Sequence, residues 1–153
     1  MRRVRSTQSV GFHHYAAWMT QPYDTYQRLC ELTQSGELVA ICSEHDVSLF
    51  VVFGSVLQPD GDPRDVDVAV RFDADQPDVL TFLDVLSRQL VSDDIDLMIL
   101  NQAGPVARER ALVKGRPLYV RRSGDFANAQ IGAIMERLET DWMRRLELEQ
   151  MAQ

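Results

Sequence analysis

Apolar residues along this chain recur with two different periods, and the switches between them mark its elements. From Tyr23 the spacing is helical, through Tyr26, Leu29, Cys30 and Leu32, with Asp24 as the expected N-cap. Ser35-Gly36 predicts a break, after which Leu38, Val39, Ile41 and Cys42 make a second stripe that ends in the polar turn Glu44-His45-Asp46. Ser48 to Phe53 is almost wholly apolar and rich in β-formers, which reads as a buried strand stopping at Gly54-Ser55. Residues 58–64 hold Pro59, Gly61 and Pro63 and read as a loop. Asp65 to Phe72 then alternates without a fault, with Val66, Val68, Val70 and Phe72 on one face and Asp65, Asp67, Ala69 and Arg71 on the other.

The second half repeats the alternation of element types. Residues 77–91 follow helical spacing, with Pro77 in the first turn. Asp94 to Leu100 reads as a strand that carries Asp94, Asp96 and Met98 on one side, and a helix runs from Pro105 to Lys114 with Gly115 placed to end it. Leu118 to Val120 is a short strand, and residues 126–151 form a long helix striped by Ile131, Ile134, Met135, Leu138, Trp142 and Leu146. Packing within the chain is the expected fate of most of that stripe, and docking of a partner is the alternative. Residues 1–21 lack a clear period and are expected to form an arm, leaving 22–153 as one domain. The order predicts an α/β (α+β) fold, a small mixed sheet with helices packed on it.

Composition narrows the function. The 153 residues suffice for one domain of ordinary core size. A formal net charge of −7 argues against direct nucleic-acid binding, because phosphate backbones select basic faces. A nucleotide remains compatible, since bound Mg²⁺ inverts the local charge logic. Cys30 and Cys42 have no zinc spacing and read as buried free thiols in a reducing, cytoplasmic setting. No run approaches the length of a membrane span, and the basic N-terminus is followed by Ser6-Thr7-Gln8-Ser9 rather than by the apolar core of a signal peptide. His13-His14 has no third metal ligand near it in sequence, and His45 reads as a turn residue.

Three features carry chemistry. Asp65 and Asp67, at i and i+2 of a strand, point the same way about 6–7 Å apart. Two carboxylates aimed at one volume repel unless a cation or a proton intervenes, and hard oxygen donors suit Mg²⁺. Gly54-Ser55 places a permissive backbone and a hydroxyl at a strand end, where a following helical turn would offer amides to phosphate. Asp96 sits between Ile95 and Leu97 on a later strand, where an acid needs a partner or a metal, and it is preferred over its competitor Asp94 as third ligand or general base. Singly, Asp-x-Asp and Gly-Ser are common, and solvated acids or a plain turn would explain each.

Together these features resemble the nucleotidyltransferase signature. VVFGSVLQPDGDPRDVDVAV gives an apolar strand, Gly-Ser, nine intervening residues (Val56 to Arg64) and Asp-x-Asp in a second strand. DIDLMILNQAGPVARERALVKGRPLYVR is similar to the later segment of the minimal nucleotidyltransferases, the MNT domains of MntA-type antitoxins, and the likeness spans residues 48–121. The resemblance implies a nucleotidyltransferase fold. It implies that Gly54 and Ser55 contact a triphosphate, that Asp65 and Asp67 bind Mg²⁺, and that Asp96 completes the carboxylate set and acts as base. The implied reaction moves a nucleoside monophosphate, AMP from ATP, onto a hydroxyl with release of pyrophosphate. The implied partner is a HEPN toxin adenylylated on tyrosine. The alternatives are a weakly active or inactive module that neutralises its partner by contact, and an enzyme modifying a small molecule such as an antibiotic.

The chain also departs from that signature. Val56-Leu57-Gln58-Pro59 stands where the family has a basic residue and a glycine, and Arg64 stands where a small polar residue precedes the first aspartate. Arg64, Arg71 and Lys114 are the candidates to restore the missing charge, with plain surface charge as their alternative reading.

Overall fold

A computed structural model describes residues 13–152. Two helices lead, α1 (His13–Ser35) and α2 (Glu37–Glu44), followed by β1 (Val47–Phe53) and a single 3-10 turn at Ser55–Leu57. Then come β2 (Val66–Phe72), α3 (Val79–Leu90), β3 (Ile95–Ile99), α4 (Pro105–Val113), β4 (Arg116–Val120) and α5 (Asp125–Met151). The four strands form one mixed sheet in the order β3-β2-β1-β4. β1 runs antiparallel to both β2 and β4, and β2 runs parallel to β3, the pair joined by the crossover through α3.

Alternation along the strands sends side chains into two cores. Val66, Val68, Val70 and Phe72 pack with Phe50 and Val52 against α1, α2 and α3. Phe82 of α3 anchors this side, edge-on to Phe50 at 6.4 Å and Phe72 at 5.6 Å between centroids. Truncating a ring buried this completely typically costs about 3–5 kcal/mol. The opposite face of the sheet, with Val51, Phe53 and Ala69, lies under α4 and α5. Ala69, Ala111 and Ala133 meet there, and their small side chains let both helices approach the strands closely. The face of β2 expected to be chemical is therefore half core: Ala69 is fully buried, while Asp67 lines one cavity and Arg71 another.

Several expectations need correction. Residues 13–21 are helical rather than an irregular arm, and residues 1–12, with most of that arm, lie outside the described residues. Asp24 is interior to α1 and caps nothing there, because the helix passes through Pro22 at the loss of one backbone hydrogen bond. α3 begins after Pro77: Asp78 is its N-cap and accepts from the Thr81 amide at 3.0 Å. α4 stops at Val113, and Gly115 is needed for clearance, since a Cβ there would lie 2.0 Å from the Ala111 carbonyl oxygen and 2.5 Å from Val51. Cys42 is buried, its thiol pushed up to about 12 by desolvation, whereas Cys30 is only half-buried. The largest change concerns α5. Its apolar stripe was expected to pack within the chain, yet Ile131, Leu138 and Trp142 are 61%, 59% and 63% exposed. Only the first turns of α5 meet the sheet layer, through Phe126, Ala129 and Ala133.

Candidate active site

β1 ends at a backbone that only glycine tolerates. Gly54 has φ 82° and ψ −158°, a region closed to residues bearing a Cβ. A second constraint acts at the same atom: a Cβ on Gly54 would lie 1.9 Å from Oδ2 of Asp67. The carboxylate of β2 thus rests against the glycine that ends β1, and the two halves of the sequence motif touch. The chain then closes its 3-10 turn, the Gln58 amide donating to the Ser55 carbonyl at 3.0 Å.

The parallel ladder sets the third acid. Asp67 is the register partner of Asp96 across β2 and β3, while Phe53 lies opposite Asp67 on β1. Side chains at matching positions of neighbouring strands share a face. Accordingly Asp67 and Asp96 line one cavity of about 340 Å³, walled by Phe53, Met98, Val106, Ala107 and Arg110. Asp65 stands at the bend just before β2 and is half-buried. Burial pushes the Asp67 carboxyl above the ordinary aspartate range, the charges of Asp65 and Asp96 push it further, and Arg110 pulls it partly back. Asp94 has another task. Its amide and carboxylate bond to the Ser92 hydroxyl at 3.1 and 3.3 Å, and its carbonyl accepts from the Val66 amide at 2.8 Å, which locks the start of β3 onto β2.

A larger cavity of about 480 Å³ adjoins the first, with Val106 and Arg110 common to both. Gly54, Leu57 and Gln58 line one side, and α4 and α5 contribute Glu109, Arg110, Val113, Lys114 and Arg137. Of the cations named from sequence, only Lys114 reaches it. Arg64 is exposed and lines neither cavity, and Arg71 lies toward the far end of β2, paired with Asp125 at 3.0 Å. Sequence reasoning missed Arg110. Its signal was available: Val106, Arg110 and Lys114 recur at i, i+4 and i+8 after the Gly104-Pro105 helix start, which puts them on one face.

The donor set fits a hard divalent cation. Among the described residues no three His, Cys, Asp or Glu side chains enclose a metal position unaided. Mg²⁺ seldom needs such a cage, because it keeps waters and completes its shell with substrate phosphate oxygens, relying on one or two carboxylates. Asp65 and Asp67 would supply those carboxylates, and Asp67, raised by burial and then by the charges of Asp65 and Asp96, is the group a cation would relieve.

Comparison with known proteins agrees with this geometry. Residues 36–123 match the family described as Polymerase beta, Nucleotidyltransferase. A search of curated proteins finds no match. Among solved structures, a toxin–antitoxin with AMP-PNP superposes with a TM-score of 0.60 at 19% identity, over 77% of this chain and 98% of that one. A complex of tri-AMPylated Shewanella oneidensis HEPN toxin with MNT antitoxin gives 0.58 at 18% identity, over 81% and 99%. The MntA-HepT toxin–antitoxin gives 0.58 at 17% identity, over 80% and 99%. At such identities the likeness is one of fold. The family match, by contrast, spans more than half of the chain and contains the Gly54 turn and all three aspartates, so the chain belongs to the polymerase beta nucleotidyltransferase family.

Proposed function

We propose that this nucleotidyltransferase moves AMP from Mg²⁺-bound ATP onto a tyrosine hydroxyl of a HEPN toxin and serves as the antitoxin of that pair in the cytoplasm. One observation carries the catalytic part: Asp67 touches the Gly54 turn and faces Asp96 across the ladder, its carboxyl raised above the ordinary range by burial and by its acidic neighbours. In this reading Asp65 and Asp67 hold the metal, Gly54 and Ser55 lie against the triphosphate, and Asp96 accepts the proton of the attacking hydroxyl. Bound Mg²⁺ would supply charge neutralisation for the attacking and leaving oxygens. Arg64, the remaining sequence candidate for nucleotide contact, is a surface charge in this reading. The nucleotide and the partner are drawn from the AMP-PNP and AMPylated-toxin complexes that share the fold. No helix among the described residues is long and apolar enough to cross a membrane.

The test is transfer of label from α-labelled ATP, with Mg²⁺, to the protein encoded beside this one. Label on a tyrosine of that protein, lost in Asp65→Asn/Asp67→Asn, supports the proposal; label on an aminoglycoside instead would make the acceptor a small molecule. The exposed stripe on α5 favours a second reading, neutralisation by contact alone. Tight association without label, unchanged in the double variant, would establish that reading and end the first.

A further inference from the structure

Building on the nucleotidyl-transfer reading, we propose that Arg110 on α4 and Lys114 at its C-cap, one turn on, grip the polyphosphate tail of the nucleotide in place of the basic residue absent after Gly54-Ser55. The turn itself brings no positive side chain: Val56, Leu57 and Gln58 follow Ser55. A polyphosphate seated beside three carboxylates on a chain of net charge −7 needs cations beyond the metal.

Three cationic side chains line the cavity beside Gly54: Arg110, Lys114 and Arg137. Arg137 is already engaged, by Glu109 at 3.4 Å and by Asp141. Among the described residues Arg110 and Lys114 make no ion pair, although the chain carries 23 acidic residues against 16 Lys and Arg. Arg71, Arg88, Arg108, Arg121 and Arg122 are held by carboxylates elsewhere on the molecule. What sets Arg110 and Lys114 apart is position: at i and i+4, with no carboxylate holding either among the described residues, both line the cavity that contains Gly54.

Position separates their roles. Arg110 walls both cavities, so it stands between the aspartates and the Gly54 side and can reach phosphate oxygens near the reacting phosphorus. Its planar fork suits two oxygens at once. Lys114 closes the far wall, one turn on, where a point charge suits the more distant phosphates. Discrimination of triphosphate from monophosphate thus resides on α4 rather than on the turn.

The experiment titrates the full chain, with Mg²⁺, against α,β-methylene-ATP and against AMP. The wild type is compared with Arg110→Met, Lys114→Met, the double variant and the charge-keeping Arg110→Lys. Each Met variant should bind the triphosphate about tenfold or more weakly, the loss of one charge-assisted contact, with AMP binding unchanged. Arg110→Lys should recover part of the loss. Both residues are exposed and unpaired, so thermal midpoints should match the wild type. A double variant within about threefold of wild type for the triphosphate overturns the inference. So does an equal loss for AMP, which would place the residues against the nucleoside. A wild type that binds no triphosphate sinks the transfer reading itself, a result distinct from either.

Discussion

The two ends of β2 treat their acids in opposite ways. At the start of the strand Asp67 is crowded by Asp65 and by Asp96 across the ladder, with Arg110 as the opposing charge, and its carboxyl is held above the ordinary range by burial and by those neighbours. Just past the other end, Asp73 lies 3.0 Å from Arg121 and 3.4 Å from Arg122. Burial pushes the Asp73 carboxyl up, but hydrogen bonds from Ser48 and Arg121 and the charges of Arg122 and Arg121 outweigh it and hold the group below that range. Arg71, still on β2, pairs with Asp125 at 3.0 Å and donates to Ser48 at 2.9 Å, tying the strand to α5 and β1. The arginine-paired end is charge-balanced by the protein alone. The aspartate end is left out of balance, as expected where a metal and a phosphate arrive from outside.

Breaking the aspartate end should have the largest effect. Asp67→Asn should lower transfer by about a thousandfold or more, measured by label incorporation, without unfolding the chain. Gly54→Ala strikes the same contact from the other side: it forces an unfavourable φ and drives a methyl into Asp67. It should cost about 1–3 kcal/mol in denaturant unfolding and abolish transfer with it. Arg71→Met tests the balanced end. It should lower stability by about 1 kcal/mol while transfer stays near the wild-type rate, since the pair lies at the far end of the strand.

The smallest effects, and the ones that compare the two ends most directly, are in pH. Asp73 is held below the reference value of 3.8, so its contribution to stability is fully present above that value and lost as pH falls through the lowered folded pKa. Asp67 is held above 3.8, so its contribution is present below that value and lost as pH rises through the raised folded pKa. At neutral pH without Mg²⁺, Asp73→Asn should therefore destabilise and Asp67→Asn should stabilise. Adding Mg²⁺ should raise the thermal midpoint of the wild type and leave that of Asp67→Asn nearly unmoved. Equal shifts of the same sign in both variants would erase the contrast between the two ends.

Much of this was legible in one dimension because it depends on period and on near neighbours. Strict alternation placed Asp67 on the face opposite Val66, Val68 and Val70, whereas Asp65, read as the first strand residue, stands at the bend before β2; an apolar run stopping at Gly54-Ser55 located the turn. The mid-strand setting of Asp96 was the ground for preferring it to Asp94; in the structure Asp96 lines a cavity with Asp67, while Asp94 bonds to Ser92 and Val66 at the strand start. Helix limits were harder to read. Asp24 looked like an N-cap and is interior to α1, while Pro77 looked like the first turn and lies just ahead of the Asp78 cap. Local signals of this kind compete with helix packing that no short window contains.

What the sequence determined by itself is the alternation of elements and the identity of the chemical groups, because backbone geometry converts spacing directly into a shared face. Which groups meet was decided only by tertiary structure. The register of β2 on β3 sets Asp67 opposite Asp96, and the swing of α4 over β1 carries Arg110 and Lys114 to the Gly54 turn while Arg64, next to Asp65 in sequence, lines neither cavity. The fate of the α5 stripe was likewise a tertiary matter: helical spacing makes an apolar face, but whether another surface covers that face depends on where the rest of the chain has room to go, and here it leaves Trp142 exposed.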